Sequence, residues 1–218
     1  MKKIIAIDGP AASGKGTLSR KLAQALNFAH MDTGALYRAV AFEVLEQGKE
    51  PSVEDNALDG CKALQEKLLI SDALANPDLR TEIIGEAASK VASIQGVRDF
   101  LTDMQRDFAN NPKDGLDGVI LDGRDIGTVI CPDAPLKLYI TAKCEIRAAR
   151  RMKELQLKGE SVTYEAVLED MRARDARDSG RKVAPLRPAK DATIIDSSDL
   201  SEAQMLENAL TYAKKAFG

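Results

Sequence analysis

The sequence predicts an α/β fold: a five-stranded, mainly parallel sheet with helices on both faces. Five short, mostly apolar runs recur along the chain, at 3–8 (KIIAID), 28–32 (FAHMD), 117–122 (DGVILD), 136–141 (LKLYIT) and 192–196 (ATIID). Strands buried on both faces need such continuous runs rather than a strict apolar and polar alternation. Most of the segments between them carry helical periodicity, and strands alternating with helices are the pattern of βαβ units. A chain of 218 residues that is 44% hydrophobic and 30% charged can bury roughly 70% of its unfolded surface, which suffices for one sizeable domain.

In chain order, the strand ending at Asp8 runs into a glycine-rich loop and then a helix with Leu18, Leu22, Ala25 and Leu26 on one face. The strand 28–32 leads into a second helix marked by Leu36, Val40, Val44 and Leu45. The stretch 50–113 is too long for one crossover and reads as an insertion between sheet strands. It opens with GKEPSVEDN, offers a possible short strand KLLIS, and carries helical stretches from Asp78 to Ile94 and from Val97 to Asn110. Gly96 is the expected break between those helices, since glycine adopts the left-handed conformation that ends them. After the strand 136–141, Arg147, Arg150 and Arg151 fall at helical spacing, and the polar segment KELQLKGESVTYE follows. There are no repeats and no low-complexity tract, so residues 1–218 form a single domain with the insertion at 50–113.

The formal charge of −3 argues against binding nucleic acid through a general basic surface. Cys61, Cys131 and Cys144 are dispersed without C-x-x-C spacing, which disfavours a disulfide framework or zinc site and fits a reducing cytoplasm. Lys2 and Lys3 precede only a few apolar residues before Asp8, and no run approaches the length of a membrane span, so export and membrane association are not expected. The single histidine, His30, reads as a strand residue rather than a catalytic base.

Gly9, Pro10, Ala11, Ala12, Ser13, Gly14 and Lys15 match G-x-x-x-x-G-K between a strand and a helix, the context a phosphate-binding P-loop requires. Its backbone N–H groups and the helix N-terminus cradle a polyphosphate, and Lys15 supplies a point charge for the outer phosphates. Gly16 follows Lys15 and delays the hydroxyl to Thr17, so GKGT resembles the loop of nucleoside monophosphate kinases. Neither N-K-x-D nor D-x-x-G occurs, which disfavours a guanine-nucleotide switch.

Four further groups look like acceptor machinery. MDTGALYR places the Thr33 hydroxyl and the Arg38 guanidinium where a strand gives way to a helix, as phosphate ligands or as a cap with a solvated arginine. VILDGRDIGT ends a strand in Asp122, which could hold Mg²⁺ through water, and then offers Arg124 and Asp125 beyond the carboxyl end of the sheet, where ligands of parallel sheets bind. Ser89 and Arg98 flank the expected break in the insertion. RARDARDSGRKVAPL sets Arg174, Asp178 and Arg181 on one helical face with Arg177 adjoining, a crowding of cations that favours an anion among them.

Taken together these residues resemble the bacterial cytidylate kinase family, from the P-loop to the final helix. The resemblance implies the P-loop kinase fold with an NMP-binding insertion and a short lid at about 152–164, and transfer of phosphate from ATP to CMP or dCMP with Mg²⁺. It implies that Gly9 to Thr17 and Arg147 bind ATP, and that Lys15, Arg124 and Arg151 are catalytic. Thr33, Arg38, Ser89, Arg98, Arg124, Asp125, Arg174, Asp178 and Arg181 would bind CMP, with Thr17 and Asp122 at the metal. By the same resemblance Ser89, Arg98 and Asp125 read the cytosine ring, whose amino donor suits a carboxylate and whose O2 and N3 acceptors suit a guanidinium. A monomer acting on small molecules is expected. Other acceptors, UMP or AMP, and a nucleotide-dependent switch are the competing readings.

Overall fold

The computed structural model describes residues 2–70, 73–112 and 115–218. They fold as two compact units, one of residues 1–31 with 108–218 and one of Asp32–Asp107.

The first unit is an α/β sandwich. Strands β1 (Ile4–Asp8), β2 (Phe28–Asp32), β3 (Gly118–Gly123), β4 (Leu136–Thr141) and β5 (Thr193–Asp196) lie in the order β2-β3-β1-β4-β5. The pairings of β1 with β3, β1 with β4, and β4 with β5 are parallel, and the first sets Ile7 beside Asp122 and Asp8 beside Gly123. Side chains that alternate along a strand fill two cores. Ile5, Ile7, Ile120, Leu136, Leu138 and Ile140 meet Leu18 and Leu22 of α1 (Lys15–Leu26) and Met205, Ala209 and Ala213 of α8 (Glu202–Phe217). On the other face Ala6, Val119 and Leu121 pack with Ile126, Ile130 and Ala109. A third cluster joins α6 (Cys144–Leu157) to α7 (Tyr164–Gly180) through Ala148, Leu155, Val167 and Met171, and Ala11 and Ala12 pack against it.

Local chemistry sets the helix ends. Asn27, at φ 56, closes α1 in the left-handed conformation that asparagine tolerates. Thr163 caps α7 by accepting from the Ala166 N–H, and Ser201 with Gln204 forms a reciprocal capping box on α8.

The second unit is helical. In it α2 (Thr33–Glu46) packs on both α3 (Glu54–Ile70) and α4 (Glu82–Val91), burying Leu36, Val40, Val44, Ala57, Cys61, Leu64, Ile84, Ala87 and Val91. The helix α5 (Gln95–Asn110) buries Val97 and Leu101. This unit takes in most of the segment 50–113 and begins earlier, at Asp32, because α2 packs on these helices; Lys113 lies outside the described residues.

Three local expectations are corrected. Lys67 to Ile70 of KLLIS close the helix α3 instead of forming a strand, and Ser71 lies outside the described residues. Periodicity cannot separate a short apolar run from the end of a buried helix, and here Leu64 continues the buried helical face. The helix expected from Asp78 is a short 3₁₀ segment Pro77–Arg80 followed by α4, since the Asn76 side chain caps the first piece at the Asp78 N–H. Gly96 is the second residue of α5, and the break falls at 92–94, where Ser93 and Ile94 donate to the Lys90 and Val91 carbonyls.

Leu22 lies fully buried between α1 and the sheet. Leu22→Ala should cost about 3 kcal/mol, a fall of about 6–12 °C in the thermal midpoint read by circular dichroism.

Candidate active site

The loop between β1 and α1 lies at the carboxyl edge of the sheet, with Gly14 at φ 87 as the N-cap of α1 and Gly9 at φ 153. A Cβ on Gly9 would stand 2.0 Å from the Ile140 carbonyl oxygen, so no other residue fits against β4 there. The carbonyl groups of the loop are held from outside. Lys15 Nζ donates to the Pro10 carbonyl at 3.1 Å, Arg147 Nη1 to the Ala11 carbonyl at 3.2 Å, and Ser197 Oγ to the Ser13 carbonyl at 2.9 Å.

Of the α6 arginines, Arg147 reaches the loop's backbone directly and Arg150 reaches it through Ser197. Arg147 is buried, donates also to the Ala142 carbonyl at 2.9 Å, and forks onto the Asp175 carboxylate of α7. Arg150 donates to Ser197 Oγ at 3.0 Å and to the Ser197 carbonyl at 2.6 Å. Arg151 pairs with Glu154 at 2.9 Å on the partly exposed side of the helix.

At the end of β3, Asp122 Oδ2 lies 2.6 Å from His30 Nε2, a partnership that joins β3 to β2. Arg124 does not pair with its neighbour Asp125. Its Nε donates to Asp178 Oδ2 at 3.0 Å, and Arg181 donates to the other oxygen of the same carboxylate. Burial pushes the Asp178 carboxyl upward, but Arg124, Arg181 and Arg174 outweigh burial and hold it below the ordinary carboxylate range. Three guanidinium groups around one carboxylate leave a surplus of positive charge that suits a further anion.

Asp8 shows the opposite behaviour. Burial pushes its carboxyl up to about 7 and Asp125 adds to the rise, against the N–H groups of Gly127 and Ile126 and the charge of Arg124. Asp8 and Asp178 are thus shifted in opposite directions, by burial in the one and by arginines in the other.

In the second unit, Thr33 is buried at the start of α2, and Arg38 one turn later donates to Asp32 Oδ2 at 2.6 Å. Ser89 is buried on α4. Arg98 is buried near the start of α5, donates to the Ala92 carbonyl at 3.3 Å, and lies 5.6 Å over the Tyr37 ring. That stacking holds the planar cation in one orientation. The sequence reading missed Asp8, Asp32, Asp175, Tyr37 and the role of His30. Asp32 and Tyr37 stand within MDTGALYR beside residues already singled out, whereas nothing local to Asp8 or Asp175 marks their distant partners.

The Thr17 hydroxyl, expected at the metal, accepts from Arg20 Nη2 at 3.4 Å, and Asp122, expected there too, is held by His30. Among the described residues no group of three or more His, Cys, Asp and Glu could hold a metal by itself. No helix among the described residues is long and apolar enough to cross a membrane.

Residues 5–215 match the family model described as cytidylate kinase. The chain is 54% identical over 210 residues to a cytidylate kinase of Paramagnetospirillum magneticum, covering 96% of this chain and 97% of that one. It is 52% identical over 207 residues to a cytidylate kinase of Rhodospirillum rubrum, covering 95% of each. Among solved structures, a protein from Thermus thermophilus aligns over 100% of this chain and 98% of its own at a TM-score of 0.52 and 19% identity. A protein from Eubacterium ventriosum aligns at 0.54 and 17%, over 98% and 99%. These two likenesses are of fold alone.

Asp178→Asn should leave Arg124 and Arg181 without their shared carboxylate and destabilise the protein by about 3 kcal/mol at pH 7. The folded pKa is depressed, so the carboxylate contributes above the ordinary range and that contribution is lost as pH falls through it. Urea unfolding of both proteins should show the difference intact at pH 7 and closing below about pH 4.

Proposed function

The chain belongs to the cytidylate kinase family, and from that premise we propose how its residues carry out ATP-dependent phosphorylation of CMP or dCMP to CDP or dCDP. The single observation that carries the assignment of residues is the cluster of Arg124, Arg174 and Arg181 around Asp178, beside a loop shaped for a polyphosphate.

Phosphoryl transfer asks the protein mainly to position two anions in line and to neutralise charge. Gly9 to Thr17 wrap the phosphates of ATP with backbone N–H groups, and Lys15 neutralises the outer ones. Arg151, immediately before the lid at about 152–164, adds charge once its pairing with Glu154 exchanges for phosphate. Arg147 acts on ATP indirectly, by holding the loop at Ala11. Thr17 and Asp122 would hold Mg²⁺, directly or through water, and the ion supplies further neutralisation of phosphate charge.

Arg124 and Arg181 bind the acceptor phosphate, while Asp178 and Arg174 orient the sugar hydroxyls and the arginines themselves. From the second unit, Arg38 and Thr33 are assigned to the acceptor phosphate, and Ser89 and Arg98 to the base. Asp125 accepts from the cytosine amino group. Uracil presents a carbonyl there, and a buried carboxylate facing an acceptor discriminates strongly. No general base is needed, because the acceptor phosphate is already anionic near pH 7. The dispersed free cysteines support a cytoplasmic enzyme, and the family supports a monomer.

ADP release with Mg·ATP and CMP, dCMP, UMP or AMP tests this reading. Stimulation by CMP and dCMP is expected, preference for another nucleotide would move the acceptor, and acceptor-independent hydrolysis would indicate a switch. Lys15→Ala should lower turnover by about 10²–10³-fold with the fold retained by circular dichroism. Asp125→Ala should raise KM for CMP far more than for ATP, whereas equal loss of both would mark a structural role.

A further inference from the structure

We propose that Asp8 is a positioning residue for base selection: it clamps the Asp125–Ile126 peptide and so aims Asp125 at the acceptor base. Asp8 is the last residue of β1 and is buried. One carboxylate oxygen accepts from the Ile126 N–H and the other from the Gly127 N–H, both at 2.8 Å. These are the first two amides of the π-helical turn Ile126–Ile130, of which Asp125 is the N-cap, and no side-chain bond from Asp125 itself caps it. A carboxylate 118 residues away in sequence performs that task instead.

The Ile126 N–H lies in the same peptide plane as the Asp125 carbonyl. That carbonyl accepts from the Val129 N–H at 2.8 Å and the Ile130 N–H at 3.3 Å, so the plane is held on both edges. With the plane held, ψ of Asp125 is restrained, and with it the direction in which its Cα–Cβ bond leaves the backbone. Gly127 lies close against the clamp: a Cβ there would stand 3.4 Å from Asp8 Oδ2 and 3.2 Å from Lys137 Cδ. Arg124, one residue upstream, is carried on the same pinned loop and reaches Asp178 from it. The clamp therefore serves the residues assigned to the acceptor, although Asp8 directly precedes the loop assigned to ATP. The Ala11 and Ser13 carbonyls of the P-loop have supports of their own, from Arg147 and Ser197.

The inference rests on Asp125 reading the base, and the two are separable. Asp8→Asn can accept only one of the two N–H bonds, and Asp8→Ala neither. In steady-state kinetics with CMP and UMP, KM for CMP should rise about tenfold for Asp8→Asn and further for Asp8→Ala, and the CMP-to-UMP ratio of kcat/KM should fall in the same order. Equilibrium binding of ATP should stay within about twofold of wild type. Should Asp8→Ala fail to fold, Asp8→Asn carries the test, since it keeps the size of the side chain and loses one of the two acceptors. An unchanged CMP-to-UMP ratio in Asp8→Asn overturns the proposal, as does equal weakening of ATP and CMP. If Asp125→Ala leaves that ratio unchanged in the first place, the assignment of Asp125 fails, independently of Asp8.

Discussion

A loop that turns its N–H groups toward an anion must turn carbonyl oxygens away from it, and each of those needs a donor. Much of the first unit answers that one requirement. The Pro10, Ala11 and Ser13 carbonyls are met by Lys15, Arg147 and Ser197, which come from α1, from α6 and from the chain just past β5. Arg150 then holds Ser197, and Asp175 of α7 holds Arg147. The packing follows the same order, with Ala11 and Ala12 seated on the cluster between α6 and α7. A phosphate cradle is thus an outcome of contacts distributed over the whole unit, and the local motif supplies only its shape.

Asp8 and Asp178 are both buried carboxylates near the end of the sheet, yet their proton affinities diverge. Asp178 has three arginines, which prevail over its burial. Asp8 has two backbone amides and one arginine, with Asp125 working against it, and burial prevails. Amides contribute partial charges where guanidinium groups contribute whole ones, and the difference separates the two sites.

The strands and the loop from Gly9 to Lys15 were legible because their signals are local: continuous apolar runs in the one, glycines at fixed spacing before a helix in the other. The arginines near Asp178 were legible as a stripe on a helix, but the partner of Arg124 was not, since Arg124 and Asp178 are 54 residues apart. KLLIS misled because the last turn of a buried helix and a short strand share an apolar run. Gly96 misled because residues 92–94 close the turn with their own amides, leaving no left-handed position to fill. Asp8 and Asp175 carry no local mark; what they do depends on which backbone or guanidinium the fold brings to them.

Arg147 joins three acceptors at once: the carbonyls of Ala142 and Ala11 and the carboxylate of Asp175. It does so with the rigid, planar fork of a guanidinium, whose donors diverge in fixed directions from one buried point. An ammonium group has a single centre and three donors on a tetrahedron, and it cannot face three segments of chain lying around a plane. Lysine and arginine are therefore not equivalent at this position despite their equal charge, and sequence drift here is confined by direction rather than by charge.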